Sequence, residues 1–267
     1  MKKTILIIYT ILFYSNIEAK ELSLVEVTAI RANCELALKN NKIDSALTYL
    51  KRIAESQKYV NGVDYTLLSR CYLMRNDTIE FKNNINQGIL NGMDSSLIKR
   101  YFFVYYQGLK KSDSSYLLNY LDLEYNNQYT LYKKNIDTNW LNYLDQILYL
   151  DQFVRQQRIK DDSNSTTLWN FCREADSINF VRVKKLIDKN IFPDFHNLGI
   201  KSSDFSVILM HISDYDETRW NFIYDYLKQN VQKGGILPKT VRAIVYRRER
   251  KNSCSYYGDN KNKDRVL

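Results

Sequence analysis

The stretch IDSALTYLKRIAES, residues 43–56, decides the fold class of this chain. Its apolar residues recur at spacings of three and four, which places them on one face of an amphipathic helix. They are Ile43, Ala46, Leu47, Leu50, Ile53 and Ala54. The same spacing continues in Leu67, Leu68, Cys71 and Tyr72, and then in Phe81, Ile85 and Ile89. The pattern predicts consecutive helices joined by short turns.

The composition supports that prediction, because the 267 residues include only 8 Gly and 2 Pro. Average usage is about 12% for the two types together. β-Sandwiches, glycine-rich phosphate loops and proline-rich linkers all need more of them. We therefore predict an all-α fold, in which helical hairpins over residues 20–132 precede a compact helical domain over residues 133–267.

Polar residues and glycines mark the expected helix ends. Asp77 followed by Glu80 has the spacing of a capping box, and Gly92 is expected to end the helix that follows. Asn126-Asn127 predicts a turn or a frayed helix. Gly234-Gly235 and then Pro238 separate the last two predicted helices, 217–233 and 239–251.

The N-terminal segment has the layout of a secretory signal peptide. Met1-Lys2-Lys3 is basic, an apolar run extends from Ile5 to Tyr14, and Ala19 is a suitable cleavage position. We expect residues 1–19 to be removed and the mature protein to be periplasmic or extracellular. A short membrane anchor or a buried first helix is the alternative, and no later stretch predicts a transmembrane segment.

Cysteine and histidine usage favours neither a metal site nor a cofactor. Four cysteines are present, Cys34, Cys71, Cys172 and Cys254, without a Cys-x-x-Cys pair, and there are only two histidines. Export permits disulfides, whose pairing the sequence leaves open. We prefer to interpret the cysteines as small buried hydrophobic residues.

The net charge of +9 is concentrated at the C-terminus. From Lys239 onward there are nine Lys or Arg against three Asp or Glu. This basic tail predicts either a solvated helix end, which we favour, or peripheral contact with an anionic lipid or envelope polymer. We expect no nucleic-acid partner for an exported protein.

Residues 101–132 are rich in tyrosine and phenylalanine at helical spacing. A groove for a peptide or glycan and ordinary helix packing both explain such a stripe, and we favour packing.

The helix–turn–helix alternation over residues ~30 to ~92, with Ala46 and Ala54 inside the second helix of a pair, resembles tetratricopeptide-type repeats. Their Trp-Leu-Gly-Tyr signature is missing. Such repeats imply an envelope protein or peptide as the partner of this region.

The C-terminal half carries an ordered set of short elements between residues ~138 and ~260. They are Asp151-Gln152-Phe153-Val154-Arg155, Asp176-Ser177-Ile178-Asn179, His211 on an apolar helix, Lys233-Gly234-Gly235-Ile236-Leu237-Pro238, Arg247, and Tyr257-Gly258. In this order they resemble an uncharacterised bacterial domain family of unknown function.

The chain departs from that family at three positions. Tyr246 stands in place of Asp, Met210 in place of Gln, and Asn260 in place of a second Gln. If the replaced residues carry the family's chemistry, the resemblance implies a degenerate member.

The residues themselves suggest one candidate site. Asp151 can orient His211 as a general base, and Arg155 with Arg247 can hold an anionic group. The remaining candidates for binding are Gln152, Asp176, Asn179 and Tyr257. Our hypothesis is that His211, Asp151, Arg155 and Arg247 converge on one polar cavity.

Each of these residues also has a structural interpretation. His211 then belongs to the core, and Asp176 with Asn179 caps the N-terminus of a helix starting near residue 178.

Two functions follow from the sequence: an interaction or scaffold module of the cell envelope, which we favour, and an enzyme or degenerate enzyme acting on a small anionic or envelope-derived substrate.

Overall fold

The predicted all-α fold is confirmed by a computed structural model that describes residues 22–103, 109–136, 138–161, 166–188, 201–214 and 216–256. Eleven helices and no strand occur in these ranges. They are α1 Leu24–Lys39, α2 Ile43–Ser56, α3 Gly62–Met74, α4 Thr78–Leu90, α5 Ser95–Phe103, α6 Lys111–Asn135, α7 Thr138–Asp161, α8 Thr166–Asp188, α9 Lys201–Ile212, α10 Glu217–Lys233 and α11 Pro238–Tyr256. The predicted signal segment, the tail beyond residue 256, and Asn260 lie outside the described residues.

Several helix ends lie where the sequence placed them. The Asp77 side chain accepts a hydrogen bond from the backbone N–H of Glu80 and so caps α4. Gly234 ends α10 in the left-handed conformation, with φ of 88°. The break predicted at Asn126-Asn127 is wrong, because both residues lie within α6. Leu117 and Leu121 of α6 pack into the core of the hairpins before this polar pair, and Tyr132 is buried after it.

The N-terminal helices pack in consecutive pairs around one apolar core. Phe81 of α4 lies at its centre, and the Tyr116 and Tyr120 rings of α6 contact it edge-on at 5.3 and 5.6 Å between centroids. The Tyr120 hydroxyl donates to Asn86 Oδ1 at 2.8 Å. These tyrosines therefore have the packing role that we favoured from the sequence.

A second core joins the two ends of the chain. Val27 and Ile30 of α1 pack in one apolar cluster with Phe205 of α9 and Leu227 of α10. Polar contacts strengthen the join: Tyr59 N–H donates to the Lys233 carbonyl at 2.8 Å, Gln57 Nε2 to Val231 O at 2.8 Å, and Asn61 Nδ2 to Gly234 O at 3.4 Å. The first hairpin thus contributes to both cores.

In the described ranges, none of the helices is both long enough and apolar enough to cross a bilayer.

Candidate functional site

Helix α8 carries two of the predicted site residues in its middle. The structural interpretation of the sequence was that Asp176 and Asn179 cap a helix that starts near residue 178. That prediction is wrong, since α8 is continuous from Thr166 to Asp188. Asp176 and Asn179 share its buried face with Cys172, Ala175, Val183 and Leu186. Their polar groups find partners on α7 instead of at a helix end.

Four of the predicted residues meet in what we call the His211 cluster: Asp151 and Arg155 of α7, Asp176 of α8 and His211 of α9. His211 Nδ1 lies 2.9 Å from Asp151 Oδ1. Arg155 Nη1 lies 3.2 Å from the same oxygen, and Arg155 Nη2 donates to both carboxylate oxygens of Asp176 at 2.9 Å. His211, Asp151 and Arg155 therefore lie together as predicted, but none of them lines the cavity that the described residues form.

The cluster is almost entirely removed from solvent. Both carboxylates are fully buried, whereas the side chains of His211 and Arg155 are 11% and 20% exposed. Burial disfavours the charge of Arg155, but the hydrogen bonds and charge of Asp176, together with the charge of Asp151, outweigh it and raise the pKa of the guanidinium. Arg155 therefore remains a cation between the two carboxylates.

The Asp151–His211 contact has the geometry of an oriented imidazole. A carboxylate accepts hydrogen bonds, so a neutral imidazole that donates to Asp151 carries its proton on Nδ1 and its lone pair on Nε2. Such a ring can take a proton from a bound group at Nε2.

The other predicted residues have different positions. Gln152 Nε2 donates to Asp151 Oδ2 at 2.7 Å, next to the cluster. Asn179 Nδ2 donates to the Ile147 carbonyl at 3.2 Å, so it links α8 to α7.

The structure does not bring Arg247 into the cluster. Its half-exposed guanidinium donates to Asp214 at 3.4 Å. The next residue, Arg248, is the buried one: it donates to Ser213 O and to Glu217, and its guanidinium lies over the Trp220 ring at 5.0 Å. The rotation of α11 about its own axis decides which of the two arginines is buried. The run of basic residues in the sequence does not indicate that rotation.

Two residues of the predicted resemblance remain. Tyr246 is 60% exposed on α11. Tyr257 lies outside the described residues.

The donor set of the cluster can be compared with a metal centre. Ligand atoms of Asp151, Asp176 and His211 all lie within 4.8 Å of one another. Arg155 contacts both carboxylates and supplies the positive charge that a bound cation would supply. A metal ion and Arg155 would therefore compete for the same oxygens.

A second candidate site was missed by sequence reasoning. A cavity of about 370 Å³ lies between the first helices and the start of α11. We call it the junction cavity; it is lined by Thr28, Arg31, Ala32, Cys34, Glu35, Leu36, Lys39, Leu50, Ile53, Val63, Asp64, Leu67, Tyr101, Leu237, Pro238, Lys239 and Arg242. These residues come from five helices and one loop, so no local pattern could reveal it.

Three cysteines behave as predicted. Cys34, Cys71 and Cys172 are all buried, and Cys34 and Cys71 are free thiols. Burial raises the pKa of Cys34 and of Cys71 to about 12. The side chain of Cys254 lies outside the described part of the chain.

Comparison with known proteins adds no assignment: no protein-family model, no curated protein and no solved structure matches the chain. The resemblances in the two halves therefore stay predictions.

Proposed function

We propose that this chain is an exported helical binding protein of the bacterial cell envelope, and that the junction cavity is its binding site. The cavity carries the proposal. Its volume of about 370 Å³ lies in the range of small-molecule and cofactor sites, and it combines apolar walls with a few charged groups.

The position of the cavity agrees with an interaction role for the helical hairpins. α1, α2, α3 and α5 supply most of its lining, and the remainder comes from Leu237 and the first turns of α11. We propose further that these hairpins are of tetratricopeptide type and that residues ~138–260 belong to the uncharacterised bacterial family. Contact of the basic tail with an anionic surface is part of the same proposal.

Capture from envelope extract tests the proposal with a matched pair of variants. Ala32 is exposed on α1 and lines the cavity, whereas Ala29 is exposed on the same helix and does not line it. Ala32→Trp should fill the cavity and abolish capture of the partner or ligand. Ala29→Trp should retain it. Equal capture by both variants would exclude the junction cavity as the binding site.

A second candidate function rests on the Asp151–His211 contact of 2.9 Å. In that proposal the chain is an enzyme, or a degenerate enzyme, that acts on a small anionic or envelope-derived substrate. His211 Nε2 would serve as the general base, and Asp151 would hold the ring.

Thermal stabilisation by small anions separates the two candidates. A ligand whose stabilising effect is lost in His211→Ala and kept in Ala32→Trp would support the enzyme. The reverse result would support binding in the junction cavity. The unliganded melting temperature of each variant is measured beside it, so that a general loss of stability is not mistaken for lost binding.

A further inference from the structure

Taking the proposed binding function as its basis, we infer that the junction cavity binds an amphiphilic anion. A carboxylate or phosphate head contacts the cationic side chains, and a short hydrocarbon chain lies against the apolar lining.

The charge of the cavity is the first reason. Its lining holds four cationic side chains and two acidic ones. Asp64 is fully buried and forms a bidentate pair with Arg31, at 2.6 Å for both hydrogen bonds. The internal pairing therefore leaves Lys39, Lys239 and Arg242 against Glu35, which is an excess of positive charge.

The surplus cations are not neutralised by neighbouring carboxylates. Lys239 Nζ donates to the Tyr101 hydroxyl at 2.6 Å and lies 4.3 Å from the centre of its ring. Lys39 and Arg242 are exposed, and within the described ranges neither has an ion-pair partner. An anion in the cavity would complement them.

Arg31 supplies an unsatisfied donor at the same place. Its side chain is 14% exposed, and its Nε is buried without a hydrogen-bond partner among the described residues. Buried polar atoms usually have a partner, so an orphaned N–H that belongs to a cavity-lining residue is consistent with an acceptor supplied by a ligand.

The helix dipole does not explain all of these cations. Lys39 lies in the last turn of α1, where a cation is favoured. Lys239 lies in the first turn of α11, where the dipole disfavours one. A bound anion would offset that unfavourable placement.

The apolar lining supplies the second half of the recognition. Leu50, Ile53, Val63, Leu67 and Leu237 line the cavity together. Burial of hydrocarbon against such residues is favourable in proportion to the apolar area removed from water. A small hydrophilic anion would leave that surface uncovered, which favours an anion that carries a chain.

Isothermal titration calorimetry on the mature protein tests the inference with chosen probes. Decanoate and decyl phosphate carry the two headgroups, 1-decanol carries the chain alone, and acetate carries the charge alone. We expect saturable binding of decanoate or decyl phosphate with one site, and at least tenfold weaker binding of decanol and acetate. The tighter of the two anions identifies the headgroup.

Variants place the ligand in the cavity. Arg242→Gln should weaken binding of the tighter anion about tenfold, and Arg173→Gln, an exposed arginine of α8 that does not line the cavity, should leave it unchanged. Ala32→Trp should abolish binding and Ala29→Trp should not. Circular dichroism at 222 nm confirms that each variant is folded.

Equal affinity for decanol and decanoate would overturn the inference, as would binding that neither Arg242→Gln nor Ala32→Trp weakens, or no binding of either anion. These failures are distinct from failure of the proposed function. If the anions do not bind but Ala32→Trp still abolishes capture from envelope extract, the cavity is a binding site for another class of ligand. If neither effect occurs, both proposals fail.

Discussion

Replacing Arg155 with Met tests whether this guanidinium holds the His211 cluster together. Met keeps most of the aliphatic length of the side chain and removes its charge and donors. The variant removes the guanidinium that contacts both buried carboxylates, Asp151 and Asp176. We expect a large loss of stability, because removing one partner of a buried ion pair is costly.

The geometry sets the size of that loss. Arg155 makes two hydrogen bonds of 2.9 Å to Asp176 and an ion pair of 3.2 Å with Asp151. Removing one partner of a buried ion pair costs about 3–5 kcal/mol. Because the Arg155 side chain is 20% exposed, solvent screening favours the lower end, about 3 kcal/mol. A domain is stable by about 5–15 kcal/mol in total, so the change should be easy to measure.

The assay is equilibrium unfolding in urea followed by circular dichroism at 222 nm, with Arg247→Met as the matched control. Arg247 makes one contact of 3.4 Å to Asp214 and is 46% exposed. Its replacement should cost about 0–1 kcal/mol. A double-mutant cycle with Asp176→Asn should give a coupling free energy of about 1–3 kcal/mol.

Equal losses of unfolding free energy in Arg155→Met and Arg247→Met would refute this reasoning. A coupling free energy near zero between positions 155 and 176 would refute it as well, since the stability of the cluster would then not depend on that pair.

Three further results are expected. Gly234→Ala should destabilise the fold by about 2–4 kcal/mol in urea unfolding, because φ is 88° and the new Cβ would clash with the Tyr59 carbonyl oxygen. Gly88 lies within α4, and a Cβ added there would meet its nearest neighbour, the Gly62 carbonyl oxygen, at 3.5 Å. Gly88→Ala should therefore raise the free energy of unfolding by about 0.5–1 kcal/mol in the same assay. A lower free energy of unfolding would contradict the packing around α4. With a pKa of about 12, the thiols of Cys34 and Cys71 should be only about 10⁻⁴ thiolate at pH 8. Mass spectrometry should therefore find both cysteines alkylated by iodoacetamide in urea and unmodified in the folded protein. Fast labelling of the folded protein would contradict their burial.

Local patterns predicted much of the secondary structure. The apolar spacing from Ile43 to Ala54 indicated α2, and the Gly234-Gly235 step gave the end of α10. These features depend on residues a few positions apart, so one sequence is enough to reveal them. The continuous α8 was not predicted, because Asp176 looks like a capping residue until Arg155 on α7 is seen to be its partner.

Part of the candidate site was predicted because it also depends on residues a few positions apart. Asp151 and Arg155 are one helical turn apart, and their contact follows from spacing alone. His211 was singled out because a polar ring on an apolar helix needs a partner. Arg247 was the wrong choice of basic residue on α11, since the rotation of that helix against the core buries Arg248.

The sequence by itself determined that this chain is a set of amphipathic helices with defined ends, because helix formation and capping are governed by neighbours within one or two turns. Only the tertiary structure decided which helices face each other. It placed α1 against α10, brought Asp151, Arg155, Asp176 and His211 together from three helices, and left the junction cavity between residues 28–101 and residues 237–242. Those contacts depend on how whole apolar faces pack, and many arrangements of the same helices bury similar area.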